Sequence, residues 1–96
     1  MTIISPADYI SADPTADPTV WTIPKMRAAI TILDGTPVNL TVEGFKQRPI
    51  IESQVRLVNA HLRTGEEWLT MEWGRDDEVG RSSVRLNEIL TIEATA

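Results

Sequence analysis

The clearest pattern of apolar and polar positions lies near the end of the chain, in two runs that flank a short polar turn. Gln54 to Leu62 and Glu67 to Trp73 are separated by Arg63-Thr64-Gly65-Glu66, and alternating runs across a glycine-bearing turn predict a β-hairpin. Placing Leu62 opposite Glu67 sets Ala60 against Leu69, Val58 against Met71 and Arg56 against Trp73. One face is then largely apolar, while Asn59, His61, Trp68 and Thr70 fall on the other. Trp68 and Trp73 stand on opposite sides of one strand, so only one can enter a small core unless the strand is twisted or bulged.

Upstream, Met26, Ala28, Ile30 and Ile32 alternate with Arg27, Ala29, Thr31 and Leu33. This predicts a strand, turned by Asp34-Gly35 into a second strand with Val38, Leu40 and Val42 on one face. Gly44 marks a bend and Phe45 a rim residue. Residues 46–53 read as a loop or edge, and the stretch from about 50 to 63 fits two periods. Ile51, Val55, Val58 and Leu62 also keep helical spacing, with Thr64-Gly65 as a stop. The branching of Ile50, Ile51, Val55 and Val58 favours strand.

The two ends complete the pattern. Gly74 to Gly80 reads as a charged, solvated turn, after which Val84 and Leu86 enter the core from a short strand. Asn87-Glu88 then turns Ile89 and Ile92 back to the same interior. At the start, Ser5-Pro6-Ala7-Asp8 predicts a single capped helical turn. The repeated Ala-Asp-Pro-Thr at 12–15 and 16–19 reads as two Asp-Pro turns or as a recognition repeat. Trp21 is expected to cap an open end of the core.

These elements predict a mainly β protein: a small five-stranded antiparallel barrel, Sm-like or SH3-like, with a short N-terminal helical turn. Residues 1–24 would form an acidic leader and residues 25–96 the barrel. The other arrangement compatible with the pattern is an α+β roll with a helix at about 50–63.

Composition narrows the function classes. A chain of 96 residues makes one domain, burying about two-thirds of its unfolded surface. No apolar run approaches the roughly 20 residues that cross a bilayer. The first residues lack the basic and continuous apolar regions of a secretory signal, and there is no cysteine; a cytoplasmic location is the expectation.

The net charge is −5, unevenly spread. Residues 1–24 carry Asp8, Asp13 and Asp17 with no cation, the stretch from Lys25 to Arg63 is basic on balance, and the rest is acidic. Such a field suits a protein partner with a basic surface better than nucleic acid.

No catalytic constellation is present, so a non-enzymatic binding or regulatory protein is expected, with no cofactor. His61 is the sole histidine, and a metal site wants three or more converging ligands. Ser82-Ser83 lack an activating base. Asp76-Asp77-Glu78 lacks the ligand spacing of a cation loop and reads first as a solvated turn. Its functional reading joins it to Glu66, Glu67 and Trp68 in an acidic face that contacts the basic partner. The alternative site is Lys46, Arg48 and Arg56, which would touch RNA. A third reading is a phage or ring assembly subunit that makes homo-oligomers through exposed strand edges.

Several landmarks occur in an order that resembles the Rof-like proteins, small bacterial inhibitors of the transcription terminator Rho. They are Pro6-Ala7-Asp8-Tyr9, Ile30-Thr31-Ile32-Leu33-Asp34-Gly35, Glu67-Trp68-Leu69-Thr70-Met71-Glu72 and Val84-Arg85-Leu86-Asn87-Glu88-Ile89. The resemblance covers about half of the chain. It implies an Sm-like barrel with an N-terminal helix, occupying a basic RNA-binding surface of its partner without catalysis. The stretch between Gly35 and Glu67 is longer than the family pattern, and the Ala-Asp-Pro-Thr repeat has no counterpart in it.

Overall fold

The computed structural model of the protein describes residues 2–9, 15, 17–44, 48–75 and 78–94. Its order of elements is β1 (Thr2–Ile4), a 3₁₀ turn (Pro6–Asp8), α1 (Ile23–Leu33), β2 (Val38–Val42), β3 (Ile50–Arg63), β4 (Glu66–Arg75), β5 (Glu78–Arg85), a second 3₁₀ turn (Leu86–Glu88) and β6 (Ile89–Ala94). The strands form one six-stranded sheet in the order β1-β6-β2-β3-β4-β5, and every pairing is antiparallel.

The expected five-stranded barrel is therefore corrected to a six-stranded sheet that does not close. Closure would require the two terminal strands to pair, and β1 and β5 lie at opposite ends of the order. The unforeseen strand is β1. It takes the free side of β6, with Thr2 opposite Ala94 and Ile4 opposite Ile92. The acidic leader thus contributes a strand to the sheet.

A second correction concerns residues 26–33, expected as a strand and found within α1. Thr22 caps the helix by accepting the Lys25 backbone N–H at 3.4 Å, and Pro24 sits in the first turn; both suit a helix start. The apolar positions that matter are Met26, Ala29, Ile30 and Leu33, spaced i, i+3, i+4 and i+7. Met26 and Ala29 are buried, whereas Ile32, inward on the strand reading, is 72% exposed. The helix ends at Asp34 in the left-handed region (φ 47°). The expected first hairpin consequently does not form: β2 lies between β3 and β6. The alternative helix at about 50–63 is also replaced, because that stretch is β3.

Strand β3 serves two sub-sheets. Residues 50–55 pair with β2 and residues 56–63 with β4. At the junction Gln54 adopts φ 56°, and its N–H donates to the Asn39 side-chain oxygen at 3.0 Å. That bond provides a partner where the ladder slips.

The predicted hairpin register holds from Leu62↔Glu67 to Ala60↔Leu69, then slips by one residue. Leu57, not Val58, meets Met71, and Arg56 meets Glu72 rather than Trp73. A bulge at Val58 causes the slip. It buries Leu57 and Val55 and leaves Val58 37% exposed, so the apolar transfer term selects the bulge. Within the expected turn at 74–80, residues 74–75 and 78–80 are instead strand, with Trp73 opposite Gly80 and Gly74 opposite Val79.

The core gathers Trp21, Met26, Ala29, Val38, Leu40, Val42, Val55, Leu57, Ala60, Leu69, Met71, Leu86, Ile89 and Ile92. Helix α1 is tied to the sheet by Arg27, whose Nε–H donates to the Ala60 carbonyl at 3.1 Å. The Pro6–Asp8 turn forms as expected, with a reciprocal Ser5–Asp8 capping box. Tyr9 then packs on Trp21 with the rings tilted by 44° and their centroids 5.8 Å apart, at one end of the core. Partial burial pushes the Tyr9 phenol up, and Asp8 adds to the effect.

Candidate functional site

Alternation along β3, β4 and β5 sorts their side chains into two faces. The core side carries Leu57, Ala60, Leu69, Met71 and Val84. The outer side forms cross-strand rows: Arg56, Glu72 and Arg81; Asn59, Thr70 and Ser83; His61, Trp68 and Arg85; then Arg63 and Glu66.

Ion pairs organise this outer face. Glu72 accepts from Arg56 at 3.1 Å and from Arg81 at 3.3 Å, while Arg85 pairs with Glu66 at 3.0 Å. The hydrogen bond from Arg56, assisted by Arg81, holds the Glu72 carboxyl below the usual range despite the opposing effect of burial. Thr70 and Ser83 hydroxyls share a hydrogen bond at 3.3 Å. Arg85 also lies over the Trp68 ring, 5.4 Å from its centroid.

The expected acidic face is divided by this geometry. Glu66 and Trp68 share the outer face with four arginines. Glu67 alternates to the other side of the strand, and it and Glu66 both line a recess of about 360 Å³ at the strand end, with Trp21, Arg85 and Leu86. Glu78 is opposite Arg75, at the far end of β4, roughly 30 Å of strand away at ~3.3 Å per residue. Asp76 and Asp77 lie outside the described residues, as does Lys46. Of the alternative RNA set, Arg48 is exposed ahead of β3, and Arg56 is engaged by Glu72.

What sequence reasoning missed is a groove beside Glu78. It has a volume of about 610 Å³ and is lined by Ile51, Glu52, Ser53, Gln54, Val55, Trp73, Gly74 and Glu78. The junction within β3 builds one wall and the β4–β5 tip the other. Ile51 is largely exposed. Trp73 lies flat against Gly80, where any β-carbon would collide with the indole. A glycine opposite a tryptophan in a hairpin was the available signal, hidden by reading 74–80 as a turn.

Among the described residues the groove's lining carries Glu52 and Glu78 and no Lys or Arg, with the Arg56 guanidinium just outside it, beside Gly74. Apolar contact from Ile51 and Trp73 beside two carboxylates suits a ligand that is partly apolar and positively charged. His61 lies in the outer row beside Trp68, away from the groove. Among the described residues no group of three or more His, Asp or Glu side chains is arranged to hold a metal ion. No described helix is long and apolar enough to cross a membrane.

No family model, curated protein or solved structure matches the chain.

Proposed function

We propose that the protein is a non-enzymatic binding module of the cytoplasm that takes a basic, partly apolar segment of a macromolecular partner into the Trp73 groove. The observation that carries this reading is the union of Ile51 and Trp73 with Glu52 and Glu78 in one lining that, among the described residues, includes no Lys or Arg. Trp73 supplies contact area at low conformational cost, and aromatic side chains of this kind dominate interface energetics. The carboxylates speed and orient the encounter, an effect that salt weakens.

The resemblance to Rof-like proteins names a partner of this chemistry, the basic RNA-binding surface of a Rho-type terminator. A helix ahead of strands ordered β6-β2-β3-β4-β5, with a long shared β3, is consistent with an Sm-like relationship.

Titration of purified Rho factor with the protein, monitored by fluorescence anisotropy at two salt concentrations, tests the reading. A salt-sensitive complex is expected, weakened about tenfold or more by Trp73→Ala and by the double change Glu52→Lys with Glu78→Lys. A lysine- and leucine-rich peptide tests the groove apart from the named partner. If neither Rho nor that peptide binds, the proposal fails.

A further inference from the structure

We infer that the open edge of β5 is a docking site for an extended acidic segment of a partner protein, which joins the sheet as an additional strand. Strand β5 ends the sheet order, and its pairing within the described residues is with β4 alone. The other side of an eight-residue strand therefore presents alternate N–H and C=O groups that an added strand can engage. Glu78 to Arg85 contains no proline.

Charged side chains ordinarily guard such an edge, but the two arginines of β5 are drawn away from it. Arg81 reaches back to Glu72 and Arg85 to Glu66 on β4. Both remain substantially exposed, at 66% and 46% of the side chain, so they can accept a second carboxylate from the open side.

Charge selects the occupant. The outer face holds Arg56, Arg63, Arg81 and Arg85 against Glu66 and Glu72, a positive surplus on a chain whose net charge is −5. A second copy paired antiparallel along β5 would keep both outer faces on the same side of the joined sheet. Its Arg81 and Arg85 would then be added beside those already present, and like charges across a ladder are destabilising. An acidic strand removes that conflict.

Strand periodicity supplies the recognition pattern. Acidic residues at i and i+4 stand opposite Arg81 and Arg85, a small polar residue opposite Ser83, and apolar residues at the positions between them point toward the side of Ser82 and Val84. Because Trp73 alternates to the face opposite that of Glu72 and Arg81, this surface differs from the groove in both position and charge preference.

The probe is a labelled nine-residue peptide reading Thr-Val-Glu-Val-Thr-Val-Glu-Val-Thr, compared with the version carrying lysine for glutamate. Fluorescence anisotropy with the full chain carrying Trp73→Ala, which removes the groove's affinity for basic peptides, should show binding of the acidic peptide, at least about tenfold tighter than the lysine version. Alternate β5 amides should become protected from hydrogen exchange on binding. Arg81→Glu with Arg85→Glu should reverse the preference, and Arg81→Gln with Arg85→Gln keeps the test decisive if charge reversal unfolds the sheet. Equal binding of both peptides, binding unaffected in both double variants, or no binding overturns the proposal. Binding of an oligouridine at low salt in place of the peptide also overturns it, in favour of a nucleic-acid face.

Discussion

Single side chains in this sheet have effects set by what lies across the ladder. Gly80 is opposite Trp73, and its missing β-carbon is what lets the indole lie against the backbone. Gly80→Val should displace the indole, shift tryptophan fluorescence and cost about 1–3 kcal/mol in denaturant unfolding, with the groove distorted as well. Gly35 and Gly65 answer to a different constraint, since each has positive φ with open space around it.

Glu72 is the titratable counterpart of Gly80, a residue governed by its cross-strand neighbours. Its folded-state pKa is lowered by the hydrogen bond from Arg56 and then by Arg81, against burial, so the stability it contributes is full above the ordinary glutamate value of about 4.3. That stability is lost as pH falls through the lower folded-state value. Asp17 behaves alike, because hydrogen bonds from the Thr19 hydroxyl and N–H lower its pKa. Urea unfolding from pH 6 down should therefore show a decline below pH ~4.3 that is shallower in Glu72→Gln than in the parent, with Asp17 keeping part of the slope.

At the scale of elements, the β3–β4 hairpin was legible in the sequence, and so was its register near the turn. Thr64-Gly65 and strict alternation over the first pairs are local facts. The bulge at Val58 was not legible, because Val58 and Leu57 are both apolar and only the arrangement of the core tells which one faces it. Leu57→Ala should cost about 2–5 kcal/mol, and Val58→Ala under about 1 kcal/mol. The unbulged register would give the reverse order, so thermal unfolding of the two variants decides between them.

Helix α1 shows the other side of this ambiguity. Met26 to Leu33 satisfies a period of two as well as 3.6 when so many positions are apolar. The Thr22 cap and the early Pro24 were the discriminating signals.

For the molecule as a whole, the two sheet edges are treated differently. One is covered by β1, a strand of three residues held by pairing with β6, and the other is β5, which among the described residues pairs with β4 alone. Ile3→Pro breaks the middle of the short ladder and exposes the β6 edge. The variant should lose stability and show concentration-dependent mass in analytical ultracentrifugation, where the parent sediments independently of concentration if β1 is an effective cap.

By itself the sequence determined the mainly β character, the β3–β4 turn, the capped 3₁₀ turn at Pro6–Asp8 and the return of Ile89 and Ile92 to the core. Each depends on contacts within a few residues or on a repeating period. Only the tertiary structure decided which face Leu57 and Arg56 take, that residues 23–33 are helical, that β1 joins β6, and that Glu52 and Glu78 line one groove with Trp73. These depend on pairings between distant segments, where burial in one shared core chooses among local patterns of nearly equal propensity.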